Sequence, residues 1–329
     1  MPTPLIRVNE LKKYFSTDGF GLFSKKRTAV KALNGISFDI YPGETLGIVG
    51  ESGCGKSTAA RVMLRLIPAT DGSVFFKEDN IFSLSTGELK NIRKKMQIIF
   101  QDPFSSIDPR KNIRKIIGEP LSIHGIGSRK EREERVLSLV ERVGLHKTCM
   151  DKYPHEFSGG QRQRIVIARA LTLNPELIIC DEPVSALDVS IQAQVLNLLK
   201  ELQAEFGLTY LFISHDLSVV KHISDRIAVM YLGKIVEIAP TRDLFETPLH
   251  PYAISLLSAV PVPRVNIKRN RIVLTGDVPD PRHLPEGCAF YSRCFKRIPK
   301  CKTIGPELLE CDPGHSVACH VANSIKATQ

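Results

Sequence analysis

The sequence has no tryptophan, and aromatic residues make up only 7% of it. Binding single-stranded nucleic acid by base stacking needs exposed rings, so this composition argues against that mode. No apolar run approaches the ~18 consecutive residues that span a bilayer. The start, Met1-Pro2-Thr3-Pro4-Leu5, lacks the basic stretch and apolar core of an export signal. The expectation is therefore a chain made and kept inside the cell. Disorder, collagen and coiled coil are also disfavoured. With 329 residues, 43% hydrophobic and 24% charged, plus 22 Gly and 21 Pro, the composition is that of an ordinary globular chain, enough for about two domains. Basic charge is in excess: 45 Lys and Arg against 35 Asp and Glu give a net charge of +10. That balance suits nucleotide phosphate, nucleic acid or an anionic membrane surface without choosing among them.

Along the chain, Ile36-Ser37-Phe38-Asp39-Ile40 alternates as a half-buried strand, and Pro42-Gly43 turns the chain into a second, apolar strand from Thr45 to Val49. A glycine-rich loop follows, and Ala59 to Leu66 reads as helix until Pro68 ends it. From about 102 to 170 the pattern is helical. Ser128 and Glu131 form a capping box, Val136, Val140 and Val143 share a face, and Gly144 ends the segment. Leu177-Ile178-Ile179-Cys180 and Tyr210-Leu211-Phe212-Ile213 are continuous apolar runs of the kind a parallel sheet covered on both faces requires. Ile227 to Ile238 reads as a hairpin around Gly233. A linker is expected near 261–275.

The first chemical signal is Gly50-Glu51-Ser52-Gly53-Cys54-Gly55-Lys56-Ser57-Thr58 between strand and helix. Its glycines let successive N–H groups converge on phosphate oxygens, while the following helix presents its positive end. Lys56 is placed to reach the β- and γ-phosphates and Ser57 to hold Mg²⁺, with Asp181 completing the magnesium shell from the end of its strand. Cys54 contributes its backbone there and acts as a small filler; Cys149 and Cys180 read as structural. Such loops serve kinases, GTPases, helicases and transport ATPases alike. The discriminating feature is Phe157-Ser158-Gly159-Gly160-Gln161, which opens a helix to Leu171 and aims a second set of N–H donors at an anion.

With these two motifs the sequence resembles the ABC ATPase family, whose signature reads Leu-Ser-Gly-Gly-Gln; Phe157 stands here in place of the Leu. The resemblance implies an α/β fold: a P-loop ABC ATPase core with a mixed sheet, an inserted helical subdomain and a small cysteine-rich C-terminal tail. It implies subunits that pair head to tail, each closing its signature over the ATP of the other. Gln101, after Gln97 to Phe100, matches the Q-loop glutamine that touches the metal and the attacking water. Glu182 matches the catalytic carboxylate that would orient and polarise that water. Ser185-Ala186-Leu187-Asp188 matches the D-loop, and His215 the switch histidine that senses the γ-phosphate. Tyr14 or Phe15 falls where the family stacks an aromatic ring on adenine; the loop from Ser16 to Thr28 blurs which.

Further stretches, Phe100-Gln101-Asp102-Pro103-Phe104-Ser105-Ser106 and His250-Pro251-Tyr252 with Val260-Pro261, look like the ATPases of dipeptide and oligopeptide importers, in particular the second, F-type subunit. This resemblance covers about residues 5–320. It implies residues 1–260 as the ATPase domain, with about 102–170 as the helical subdomain, and 261–329 as the extension typical of oligopeptide transporters. It further implies a paralogous ATPase forming a heterodimer, two membrane permeases, an extracytoplasmic peptide-binding protein, and a peripheral place on the cytoplasmic face of the cell membrane. Two other readings stay open: a soluble ABC ATPase acting on nucleic acid or ribosomes, and an importer of another solute such as nickel or glutathione.

The tail carries Cys288, Cys294, Cys301 and Cys319, four thiols at spacings that suit the four-cysteine ligation of a 4Fe–4S cluster, without the Cys-x2-4-Cys knuckles usual for structural zinc. Family members with this pattern bind such a cluster, so the resemblance implies iron–sulfur here. Cys311, His315 and His320 lie nearby, which leaves a permuted ligand set or zinc as alternatives.

Overall fold

A computed structural model describes residues 3–17, 28–260 and 272–326. In chain order it forms β1 (Ile6–Thr17), β2 (Thr28–Ile40), β3 (Thr45–Val49), α1 (Lys56–Met63), β4 (Asp71–Phe76), β5 (Asp79–Asn80), α2 (Thr86–Lys95), β6 (Met96–Ile99), α3 (Ile113–Ile123), α4 (Arg129–Arg142), α5 (Gly159–Leu171), β7 (Leu177–Asp181), α6 (Val189–Phe206), β8 (Thr209–Ile213), α7 (Leu217–Ile223), β9 (Arg226–Tyr231), β10 (Lys234–Pro240), α8 (Thr241–Glu246), α9 (Pro251–Ser258), α10 (Lys300–Thr303), β11 (Leu309–Asp312), β12 (His315–Val317) and α11 (His320–Lys326). The chain divides into two compact units, each assembled from separate segments. The sequence boundary at 260/261 and most of the linker expected near 261–275 lie outside the described residues, as does most of the loop from Ser16 to Thr28.

The first unit comprises Met1–Pro4, Ile40–Thr45 and Ser83–Ile213. In it β6, β7 and β8 run parallel, with Ile99 opposite Cys180 and Asp181 opposite Ile213. Every residue of β7 and β8 is buried, which is why both read as unbroken apolar runs rather than alternating ones. The helices between β6 and β7 begin at strong caps. Ser128 accepts from the Glu131 N–H, and the Glu131 side chain answers the Ser128 N–H at 2.6 Å. From that start α4 buries Val136, Leu139 and Val140, one face at helical spacing.

The second unit comprises Leu5–Asp39, Leu46–Phe82 and Ser214–Gln329. One sheet has the order β2-β1-β4-β5, with β1 antiparallel to β4. Another part runs β11-β12-β10-β9-β3 and is mixed: β3 pairs parallel with β9, while β9, β10, β12 and β11 pair antiparallel. β9 and β10 form the hairpin expected around Gly233. Tyr231 faces Lys234 across it, and both central residues, Leu232 and Gly233, have positive φ (44° and 75°), the condition for a two-residue turn whose twist matches the strands. The C-terminal residues extend this same sheet through β12 and β11. Glu237 on β10 is fully buried and stitches that junction. Its carboxylate accepts from the Leu249 N–H (2.8 Å), the His250 N–H (2.7 Å) and His315 Nε2 (2.8 Å), which meets the need of a buried charge for several donors.

Candidate functional site

In the second unit, Gly50 to Thr58 links β3 to α1. The glycines are required by close approach: a Cβ on Gly50 would lie 2.1 Å from the Met230 carbonyl, and one on Gly55, at φ 109°, would lie 2.2 Å from that of Ala32. The helix starts at Lys56, earlier than the Ala59 of the sequence pattern, because the loop hands directly into it. Gly55 provides no side-chain cap and the first turn contains no acidic residue, so the positive end of α1 is neither capped by a side chain nor offset by a carboxylate of its first turn. The Lys56 stem is buried, and its ammonium donates to the carbonyls of Gly50 (2.8 Å) and Glu51 (3.1 Å). Ser52 and Gly53 are exposed, whereas Ser57 and Thr58 are half-buried. Cys54 is buried, and burial pushes its thiol up from the ordinary value, consistent with a small filler. Backbone donors, an uncapped helix start and one buried cation are a donor set whose chemistry suits a polyphosphate.

His215 is exposed, two residues beyond β8 in the chain. Tyr14 is tethered, its hydroxyl donating to Asn34 Oδ1 at 2.8 Å, while Phe15 is 41% exposed with the Lys13 ammonium 4.9 Å from its ring centre.

In the first unit, the structure brings Gln101 and Glu182 together: Gln101 Nε2 donates to Glu182 Oε2 at 2.9 Å. Asp181 is buried at the end of β7. Glu182 has φ 50°, a left-handed conformation disfavoured for this residue type and found where a site over-determines its backbone. Its N–H donates to the Ile213 carbonyl (2.9 Å), and its carbonyl accepts from the Ser185 N–H (3.3 Å) and hydroxyl (3.1 Å). The start of the Ser185-to-Asp188 loop is thereby fixed to Glu182. Ser158 caps α5 in a reciprocal box with Gln161: the Ser158 N–H donates to Gln161 Oε1 (3.0 Å), and the Gln161 N–H donates to Ser158 Oγ (3.3 Å). A Cβ on Gly159 would lie 3.4 Å from the Leu187 side chain, and one on Gly160 2.5 Å from Ile191 Cγ2. Gly160 is therefore a packing residue, letting α5 press against the first turn of α6, whereas a Cβ at Gly159 would make an ordinary contact. Ser158 and Asp188 are exposed, and Val189 beside them is 82% exposed.

Sequence reasoning missed three partners of the phosphate loop. Arg293 pairs with the Glu51 carboxylate (2.9 Å), the Tyr252 hydroxyl accepts the Glu51 N–H (2.9 Å), and the hairpin turn donates from the Gly233 N–H to the Cys54 carbonyl (2.9 Å). His250-Pro251-Tyr252 was visible as a stretch, but nothing in it points to the loop. Glu237, an isolated acid in an apolar strand, was a legible signal of a buried, partnered charge.

The iron–sulfur expectation is corrected, and zinc with it. Cys288, Cys294, Cys301 and Cys319 lie near enough to raise the Cys288 thiol, which burial chiefly pushes up to about 11. Yet among the described residues no three His, Cys, Asp or Glu are grouped to hold a metal ion. Burial also raises the Cys294 thiol. The Cys311 sulfur lies 3.3 Å from Asn323 Oδ1. The relatives described next are named for ATP binding and transport, with no mention of a cluster.

The family described as "ABC transporter" matches residues 33–185, and "Oligopeptide/dipeptide transporter, C-terminal region" matches 236–301. The chain is 58% identical over 320 residues to the oligopeptide transport ATP-binding protein AppF of Bacillus subtilis, covering 96% of this chain and 97% of that protein. It is 51% identical over 318 residues to the dipeptide transport ATP-binding protein DppF of Haemophilus influenzae, covering 96% of both. Among solved structures, it resembles a dimeric ATP-binding cassette in a post-hydrolysis state bound to ADP and Pi, at a TM-score of 0.63 and 30% identity over 72% of this chain and 99% of that one. Among the described residues no helix is long and apolar enough to cross a membrane.

Proposed function

The chain belongs to the ABC transporter family as an ATP-hydrolysing subunit, and from that premise we propose that it energises import of di- or oligopeptides from the cytoplasmic face of a membrane. A transporter subunit of this kind works with permease partners. The observation that carries the peptide reading is similarity running the whole length of the chain, including residues 236–301, to proteins named for oligopeptide and dipeptide transport. Division at 260/261 into ATPase domain and extension goes with this reading.

In this proposal the loop from Gly50 to Thr58 holds the phosphates, and Lys56 counters the charge of the β- and γ-groups. Ser57 and Asp181 supply the hydroxyl and carboxylate oxygens that suit Mg²⁺, which would neutralise phosphate charge when bound. Glu182, oriented by Gln101, positions the attacking water, and His215 senses the γ-phosphate. The face carrying Ser158, Gly159, Asp188 and exposed Val189 meets a paralogous ATPase and closes over its ATP, while an extracytoplasmic receptor delivers the peptide. Support for the face comes from Val189, a large apolar side chain left 82% exposed beside the signature.

Reconstitution with partner permeases and a peptide-binding receptor tests this reading. Peptide-stimulated ATP hydrolysis is the expected result, lost in Glu182→Gln by at least ~100-fold with ATP binding retained. Stimulation by nickel or glutathione but by no peptide would refute peptide import, and undiminished hydrolysis in Glu182→Gln would remove that residue from its role.

A further inference from the structure

The phosphate loop contains an acid, Glu51, whose presence beside an anion-binding cradle calls for explanation, since an unpaired carboxylate there would repel the ligand. The structure gives each of its polar groups a partner. Its carboxylate meets the Arg293 guanidinium in a fork, Nη1 to Oε2 at 2.9 Å and Nη2 to Oε1 at 3.1 Å. Its N–H donates to the Tyr252 hydroxyl at 2.9 Å, and its carbonyl accepts from Lys56 Nζ at 3.1 Å. The Arg293 side chain is only 8% exposed and that of Glu51 29%, so solvent screens this pair less than an open surface pair.

Arg293 is itself held. It ends a short turn, Tyr291–Arg293, immediately after Phe290. The Phe290 ring is buried against Tyr231 and Tyr252, with ring centres 5.3 and 5.5 Å away. Tyr252, which receives the Glu51 N–H, packs its ring 4.7 Å from that of Tyr231. One aromatic cluster therefore anchors both residues that grip Glu51, and one of the two comes from the C-terminal extension.

We propose that the C-terminal extension sets the nucleotide affinity of the phosphate loop, with Arg293 as a positioning residue that holds Glu51 in place and cancels its charge. This rests on the reading of Gly50–Thr58 as the phosphate cradle, but not on the identity of the transported solute. A tail that served only as a staple would matter for folding. A tail that neutralises Glu51 matters for the anion the loop receives.

The two are separable, because removing the charge of Glu51 repairs the second role and not the first. The probe is a fluorescent ATP analogue titrated into the purified full-length chain, with thermal melting recorded alongside. Wild-type binding is measured first, since its failure would count against the cradle reading rather than against Arg293. Arg293→Gln is expected to weaken binding about tenfold, the scale of a lost charge-assisted fork. Adding Glu51→Gln to it should bring the affinity back to within about threefold of wild type. Unchanged binding in Arg293→Gln overturns the proposal, and so does a loss that Glu51→Gln leaves unrepaired. Should Arg293→Gln not fold, Arg293→Lys keeps the charge but not the fork and is expected to raise the dissociation constant about two- to fivefold; no change overturns the proposal.

Discussion

Acidification should destabilise this protein through one histidine. His250 is 1% exposed and occupies the N-cap of α9, where its Nδ1 accepts the Tyr252 N–H at 3.1 Å. An acceptor nitrogen must be unprotonated, so the ring is the neutral Nε2–H tautomer. A proton on Nδ1 would abolish the cap and place positive charge at the positive end of a helix. Burial pushes the His250 pKa down to about 3. The unfolded chain, titrating near its ordinary 6.5, binds a proton the folded chain refuses, so the stabilisation is complete above pH 6.5 and falls as pH drops toward 3. At about 1.36 kcal/mol per unit, going from pH 7.5 to 5.0 costs about 2 kcal/mol, or about 0.7 M in urea midpoint for a slope near 3 kcal/mol/M. The comparison is with His250→Asn, whose side-chain oxygen can cap the helix and cannot titrate. Urea melts at both pH values should show a smaller acid-induced shift in that variant by about that amount. Equal shifts in the two proteins would refute the assignment of His250 as a buried neutral base.

Two further outcomes follow from packing and burial. Gly160→Ala puts a methyl 2.5 Å from Ile191 Cγ2 and should cost about 1–3 kcal/mol by overpacking, less a gain of up to about 1 kcal/mol in helix propensity; the melting temperature should fall, and Ile191→Ala in the same chain should recover part of the loss. The Cys288 thiol, pushed up to about 11, should alkylate slowly at pH 7.5 and about tenfold faster per pH unit up to pH 9, measured by mass spectrometry of iodoacetamide-treated protein; a rate independent of pH would show that the thiolate is already formed.

Much of the first unit is written in local pattern. β7 and β8 are buried along their whole length, so apolar runs announce them, and Ser128 and Glu131 announce α4 because a capping box needs only residues three apart. Other elements lack such marks. β11 is four residues with three exposed, and it is a strand only because β12, itself paired with β10, offers it an edge. The cysteines misled for a related reason: spacing along a chain states how many thiols are available, not where they point.

The loop Gly50 to Thr58, the signature at Ser158 and the acid pair Asp181-Glu182 were all determined by sequence alone, because each is a short contiguous set of residues whose chemistry its neighbours reveal. Only the tertiary structure decided what holds those pieces: the Gln101 amide on Glu182, Ile191 against Gly160, and Arg293 on Glu51 across 242 positions of chain. Such contacts depend on how strands and helices pack, and a side chain's partner across that distance leaves no periodic trace for the sequence to show.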